Sequence, residues 1–349
     1  MERKKASKSV IFWLLFVIAM IYGIVFVGGM TRLTNSGLSM VDWKPIMGAI
    51  PPLNQSDWND AFNAYKNYPE YQQVNSNMTL DEFKSIFYWE YGHRMLGRFI
   101  GVAFFFPFIF FLFRRKIKGA LVSKLLFAFI LGGCQGLMGW YMVKSGLVNE
   151  PRVSQYRLAA HLGLALILLS YLYWIVLGLT MRVRVRIKEP SFKLLSLGLL
   201  LLVSLQIFYG ALTAGLDAGL VYNTFPDMNG QFVPAGSLSQ TPLWKNLFEN
   251  VVTVQFVHRC LGWITLFWVL GISVLGWMRK VEGSQRLIQG LLLIVVLIQF
   301  GLGVGTLLMR VPVSLASLHQ SGAALLLILS VTNVFIEWRS IKDRVGAYA

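Results

Sequence analysis

The chain has 349 residues, 56% of them hydrophobic and 14% charged, with a mean hydropathy of +0.59 and a formal charge of +16. Soluble domains carry about a quarter charged residues, so a soluble globular protein is excluded; uncharged runs of roughly 20 residues, the length that crosses a bilayer core, recur along the chain. The positive surplus would ordinarily raise nucleic acid as a partner, but its placement in short loops between the apolar runs excludes that reading.

Taken in chain order, the apolar runs predict an all-α membrane protein of eight transmembrane helices, at about 10–30, 86–113, 120–142, 158–179, 192–213, 251–277, 287–308 and 317–338. The first follows the basic segment Met1–Lys8 and has no small-residue cleavage site before Gly28 and Gly29, so it reads as a retained helix and not a signal peptide. With the N-terminus inside, segments 1–9, 114–119, 180–191, 278–286 and 339–349, with Lys124 and Lys193 beside them, hold most of the basic residues. Only Glu2, Glu189, Glu282, Glu337 and Asp343 oppose them there. Nearly the whole surplus therefore lies on one face, as the positive-inside rule requires of cytoplasmic loops. The N- and C-termini are expected in the cytoplasm. No Arg/Ser-rich transit segment precedes the first helix, which favours a bacterial inner (plasma) membrane. Cys134 and Cys260 both fall in apolar spans; they can form neither a disulfide framework nor a CxxC metal site and read as small buried hydrophobes.

The two halves read as copies of each other. Gly28, Thr31, Gly37 and Leu38 match Gly210, Thr213, Gly219 and Leu220 at a constant spacing. Gly92-His93-Arg94-Met95-Leu96-Gly97 matches Val257-His258-Arg259-Cys260-Leu261-Gly262, and Ala160-His161-Leu162-Gly163 matches Leu318-His319-Gln320-Ser321. An even number of helices per copy makes both halves start on the same side, so the expectation is two four-helix bundles, residues 1–190 and 191–349, related by a pseudo-two-fold axis along the membrane normal.

The chain has four histidines, His93, His161, His258 and His319. Each sits in the first turns of an even-numbered span that runs from outside to inside, so all four share one depth. Intramembrane ionisable residues are costly and default to function. A zinc or copper site would want further carboxylates or thiolates near the imidazoles. Two imidazoles facing across a bundle, among Phe, Leu, Gly and Tyr, suit the axial positions of a heme iron. Three pairings exist, and the duplication selects His93 with His161 and His258 with His319. Gly28, Gly29, Gly92, Gly97, Gly132, Gly133 and Gly136 suit either close approach to a macrocycle or small-residue helix packing. Arg94 and Arg259, with Arg98 one turn on, are placed to pair with heme propionates or to snorkel to headgroups.

The copies differ at one chemically decisive place. Glu90 stands three residues before His93, on the same helical face, while Gln255 stands three before His258. A carboxyl beside an apolar heme site is suited to accept or donate a proton, so one half is expected to act on its heme and the other to hold a heme for electron transfer. Outer segment 31–85 is rich in aromatics and Pro/Gly, with helical content from Asp57 to Lys84 and Thr79 and Asp81 as caps. Its counterpart 215–250 carries Asn223-Thr224-Phe225-Pro226. Either could lid a bundle mouth, or place Trp43 and Trp244 in an interfacial belt.

Thr31-Arg32-Leu33-Thr34-Asn35-Ser36-Gly37-Leu38-Ser39, Trp43-Lys44-Pro45 with Pro51-Pro52, Glu90-Tyr91-Gly92-His93-Arg94, Gly215-Leu216-Asp217-Ala218-Gly219, Asn223-Thr224-Phe225-Pro226 and His258-Arg259 together resemble the heme A synthases of the mitochondrial and alphaproteobacterial type. The resemblance spans essentially the whole chain. It implies eight helices in two halves and oxidation of the C8 methyl of heme O to a formyl group, through the hydroxylated heme I, giving heme A for terminal oxidases. By position it implies that His93, His161 and Glu90 hold the substrate heme, and that His258 and His319 hold a heme b cofactor. A heme O synthase and oxidase assembly factors are the partners it implies, and a homo-oligomer is left open. Some bacterial members carry a cysteine pair in the first outer loop; this sequence has none, so a thiol route cannot operate here. Two axial imidazoles leave the iron no open position. Either a histidine leaves the substrate iron, or the macrocycle is oxidised and water attacks the methyl carbon; the second is favoured, with Glu90 taking the protons and heme b relaying electrons. A di-heme cytochrome b and a heme transporter are the competing readings; the Glu90/Gln255 difference disfavours the symmetric first.

Overall fold

The computed structural model describes residues 7–41, 50–147, 151–181 and 190–345. Trp43, Lys44 and Pro45 lie outside the described residues. Eleven α-helices are described: α1 (Lys8–Leu33), α2 (Gln55–Lys66), α3 (Pro69–Gln73), α4 (Leu80–Phe113), α5 (Ala120–Gly146), α6 (Gln155–Thr180), α7 (Pro190–Gly215), α8 (Asn246–Glu249), α9 (Val251–Met278), α10 (Gly283–Leu308) and α11 (Val313–Val345). Eight of them are long and apolar enough to cross a membrane, one at each predicted span. The largest differences are at ends. α4 begins six residues earlier than the apolar run, because Thr79 and Glu82 form a reciprocal capping box that satisfies two orphan N–H groups. At 34 residues it is about 51 Å long, more than a hydrocarbon core of roughly 30 Å, so its first turns stand clear of the apolar layer.

The described residues divide into two compact units, Ser7–Leu169 and Ser170 onward. In the first, α1 packs along α4, and α4 meets α5. Pro107 lies inside α4 and, lacking an N–H, leaves the carbonyl of Ala103 one turn earlier without its helical partner. The Trp13 indole N–H of α1 donates to that carbonyl at 2.8 Å, which is how a proline is accommodated where no water can solvate the freed group. Trp13 also packs on Phe104 and Phe111 on either side of the proline.

Outside the spans, the expected helical content of 57–84 is α2, α3 and the head of α4. Asn54 caps α2 by accepting from the Asp57 N–H. Trp58, Phe62 and Tyr65 bury against Phe83 and Phe87 of α4, with Met40 and Val41 at the edge. Inside this aromatic cluster the Tyr65 hydroxyl donates to Glu70 at 3.0 Å and accepts from Asn75 at 2.8 Å. Burial, reinforced by the charge of Glu90 and opposed by the Tyr65 hydrogen bond, pushes the Glu70 carboxyl up to about 7. A raised folded-state value favours the protonated form, so its contribution is complete at low pH and is lost as pH rises through about 7. Hydrogen-exchange protection of segment 55–75, taken relative to the intrinsic amide rate at each pH, is therefore expected to fall between pH 5 and pH 8, reflecting a cost of roughly 3 kcal/mol, and Glu70→Gln should flatten that protection profile.

In the second unit α7 packs on α9, α9 on α10, α10 on α11, and α11 on α7, a closed four-helix cycle. Two buried polar pairs are matched across its helices, Asn333 donating to Ser196 at 2.9 Å and Gln285 to Glu337 at 2.8 Å, contacts that offset the cost of placing these amides in apolar surroundings. The cysteines correct the expectation of burial. Cys260 is half-buried and Cys134 exposed, because Cys134 lies on the outer side of α5, whose neighbouring Gln135 faces α6. Trp244 is 56% exposed in the second outer loop.

Candidate functional site

All four histidines meet a glycine of the membrane-spanning helix before their own. A Cβ on Gly28 of α1 would lie 3.1 Å from the His93 ring on α4, and one on Gly139 of α5 would lie 3.0 Å from the His161 ring on α6. In the second unit Gly210 of α7 stands 3.2 Å from His258 of α9 on the same measure, and Gly303 of α10 stands 2.8 Å from His319 of α11. Of the glycines singled out in the sequence, Gly28 has this role and Gly97 packs near Ile24, while Gly92, Gly132, Gly133 and Gly136 meet nothing within 4 Å.

His258 and His319 face each other with ring centres 6.4 Å apart and planes at 89°. A metal–imidazole bond is about 2 Å and a ring nitrogen lies about 1 Å from its ring centre, so two imidazoles sharing one metal place their centres roughly 6 Å apart. The donor set and spacing fit an iron held between two neutral imidazoles, and His258 Nδ1 is a buried polar atom with no hydrogen bond. In the first unit His161 lies within electrostatic reach of His93. The facing rings of the second unit are one of the two pairs that the repeat selected.

Glu90 is buried, not solvated. One carboxylate oxygen accepts from the Ser39 hydroxyl and the Met40 N–H, both at 2.7 Å, and the other accepts from Arg94 at 2.5 Å. Arg94 also donates to the Met40 carbonyl at 3.0 Å. The arginine expected on propionates is thus engaged by the carboxylate one turn before it. The second unit builds the corresponding clasp without a carboxylate. Gln255 donates to the Tyr222 carbonyl at 2.9 Å, and Arg259 donates to the carbonyls of Tyr222, Thr224 and Asp227. Arg98 contacts the Met95 sulfur at 3.5 Å. Sequence reasoning missed Gly139, Gly210 and Gly303 as ring contacts, and two glutamines. Gln135 donates to the His161 main-chain carbonyl at 3.1 Å and Gln299 to that of His319 at 2.8 Å.

Eight apolar spans, with the His258 and His319 rings facing each other across two of them, define an all-helical, polytopic membrane protein. The profile of the cytochrome oxidase assembly protein family (COX15-CtaA) matches residues 11–331, and the chain belongs to that family. It is similar to the heme A synthase of Nitrosomonas eutropha, 46% identical over 90% of this chain and 89% of that one. It is equally similar to the heme A synthase of Nitrosospira multiformis, 46% identical over 93% and 92%. The heme A synthase of Parvibaculum lavamentivorans is 44% identical over 93% of each.

Proposed function

We propose that this protein is an oxidoreductase that converts heme O to heme A by oxidising the C8 methyl group to a formyl group. The observation that carries the reading is the pair of facing imidazoles in a chain of this family, beside a carboxylate that only one repeat possesses. Residues 1–190 form the substrate half, with His93 and His161 as iron ligands and Glu90 as the acid–base group. Residues 191–349 form the cofactor half, with His258 and His319 holding heme b; when bound, that heme would supply one-electron transfer. The basic inner loops support a bacterial plasma membrane with both termini cytoplasmic, where a heme O synthase and oxidase assembly factors are the expected partners.

The chemistry assigned to the first half balances with water as the oxygen source. Twice over, the methyl carbon gains a hydroxyl from water and gives up two protons and two electrons, the electrons passing to a one-electron acceptor outside the protein, and the geminal diol loses water to leave the aldehyde. Ser39, the Met40 N–H and Arg94 hold both oxygens of Glu90 in place, one turn from His93, so that a proton leaving the substrate is received at a fixed atom. Arg94 and Arg259 anchor the outer loops that keep water from the histidines.

The test is expression in a host that makes heme O but no heme A, followed by extraction and chromatography. Heme A or heme I appearing only with the intact gene is the expected result. Heme b alone, at two per chain, would overturn the reading in favour of a di-heme electron carrier.

A further inference from the structure

Gln135 and Gln299 are unused by the chemistry above, yet they occupy corresponding places in the two repeats. Each stands four residues before the glycine that meets a histidine ring, Gly139 on α5 and Gly303 on α10, so glutamine and glycine share a helical face. The Gln135 side-chain nitrogen donates to the main-chain carbonyl of His161 at 3.1 Å and lies 3.2 and 3.4 Å from the ring's Nδ1 and Nε2. The Gln299 nitrogen donates to the main-chain carbonyl of His319 at 2.8 Å and lies 3.1 Å from its Nδ1. There the ring itself is fixed as well, since His319 Nδ1 lies 3.2 Å from the Gln299 main-chain carbonyl. A carbonyl only accepts, so the ring proton is assigned to Nδ1 and Nε2 keeps the lone pair a metal needs; the Gln299 amide, a donor, then holds His319 through its main-chain carbonyl and not through the ring.

The other member of each pair is held differently. His258 Nδ1 is buried without a hydrogen bond, the Gln206 carbonyl approaching it without closing one. Among the described residues no hydrogen bond reaches the His93 ring, which rests on Gly28. Where glutamine stands four residues before Gly210, the residue four before Gly28 is Ile24, whose side chain can offer no hydrogen bond.

Building on the ligand assignment proposed above, we infer that Gln135 is a positioning residue that makes His161 the fixed ligand of the substrate iron, and that His93 is the ligand that yields. A resident cofactor never has to leave its site, whereas a substrate enters and a product departs at every turnover, so both iron–imidazole bonds break each time and the way each ring is held decides which breaks first. The one whose residue is tied to the Gln135 amide holds longer; the one held by packing alone releases first. The yielding ligand is also the one a turn from Glu90, so coordination opens on the side of the acid–base group.

The experiment compares His93→Ala, His161→Ala and Gln135→Met in protein purified with its hemes, reading heme content by extraction, spin state by electron paramagnetic resonance, and carbon monoxide binding after reduction. His93→Ala is expected to keep its first-half heme, now high-spin and able to bind carbon monoxide, and added imidazole should restore the low-spin signal. His161→Ala is expected to lose that heme. Gln135→Met, nearly the same volume but unable to donate, should retain it about tenfold less well while the second-half low-spin signal stays unchanged. Retention in His161→Ala with loss in His93→Ala would overturn the order of the ligands and leave the site intact. An unchanged spectrum and retention in Gln135→Met would overturn the positioning role. No effect of either histidine variant on the hemes would overturn the ligand assignment along with the inference.

Discussion

Replacing Glu90 with glutamine is expected to cut heme A formation by at least about a hundredfold, the range removed with a positioned acid–base group, while both hemes stay bound. The second repeat supports the separation of these effects. There glutamine already occupies the equivalent place in Gln255, buried and bonded to the loop, beside an arginine satisfied by carbonyls alone. A glutamine at 90 can likewise accept from Ser39 and the Met40 N–H while Arg94 keeps its bond to the Met40 carbonyl, so the outer loop remains clasped. Both variants take the carboxylate partner from Arg94, but Glu90→Ala also leaves the Ser39 and Met40 donors unpaired, so it should lower thermal stability by a further few kcal/mol. Heme extraction and a thermal melt on both variants check the result. Full heme A production by Glu90→Gln with normal loading would remove the carboxylate from the chemistry.

Gly303→Val is expected to lower retention of the second-half heme between about fivefold and a hundredfold. Even an alanine Cβ would stand 2.8 Å from the His319 ring, and overpacking of this kind costs about 1–3 kcal/mol, here borne by an iron ligand. The ring cannot swing freely aside, because Gln299, one turn along the same face of α10, holds the His319 main-chain carbonyl. Gly301, two residues earlier, meets nothing within 4 Å, so Gly301→Val should bind heme normally. Purified variants compared by heme content and low-spin signal decide the matter. Equal loss in both would point to the helix and not to the contact.

The spans were legible because the absence of charge over some 20 residues is a local property of the chain, and the repeat was legible because glycines and histidines recur in register. The paired histidines followed from the repeat. What a sequence cannot display is which helix faces which, so the four glycines against the rings were indistinguishable from those that meet open space. Gly28 and Gly132 look alike until α4 is laid on α1. Two misses did have a local signal. Glu90 and Arg94 sit four apart in the order that favours an ion pair, which competes with any propionate for that arginine. Gln135 and Gln299 are uncharged amides in apolar helices, a costly placement without a partner, and they recur in both copies.

The two clasps differ in which main-chain group meets the side chain. At Met40 the loop turns an N–H toward position 90; at Tyr222 it turns a carbonyl toward position 255. Glutamine can answer either, whereas a carboxylate has only lone pairs to offer. Gln255→Glu would therefore set lone pairs against lone pairs. The loop backbone accepts a carboxylate at position 90 and resists one at position 255, so the chemical difference between the two places rests on loop conformation as much as on the side chain.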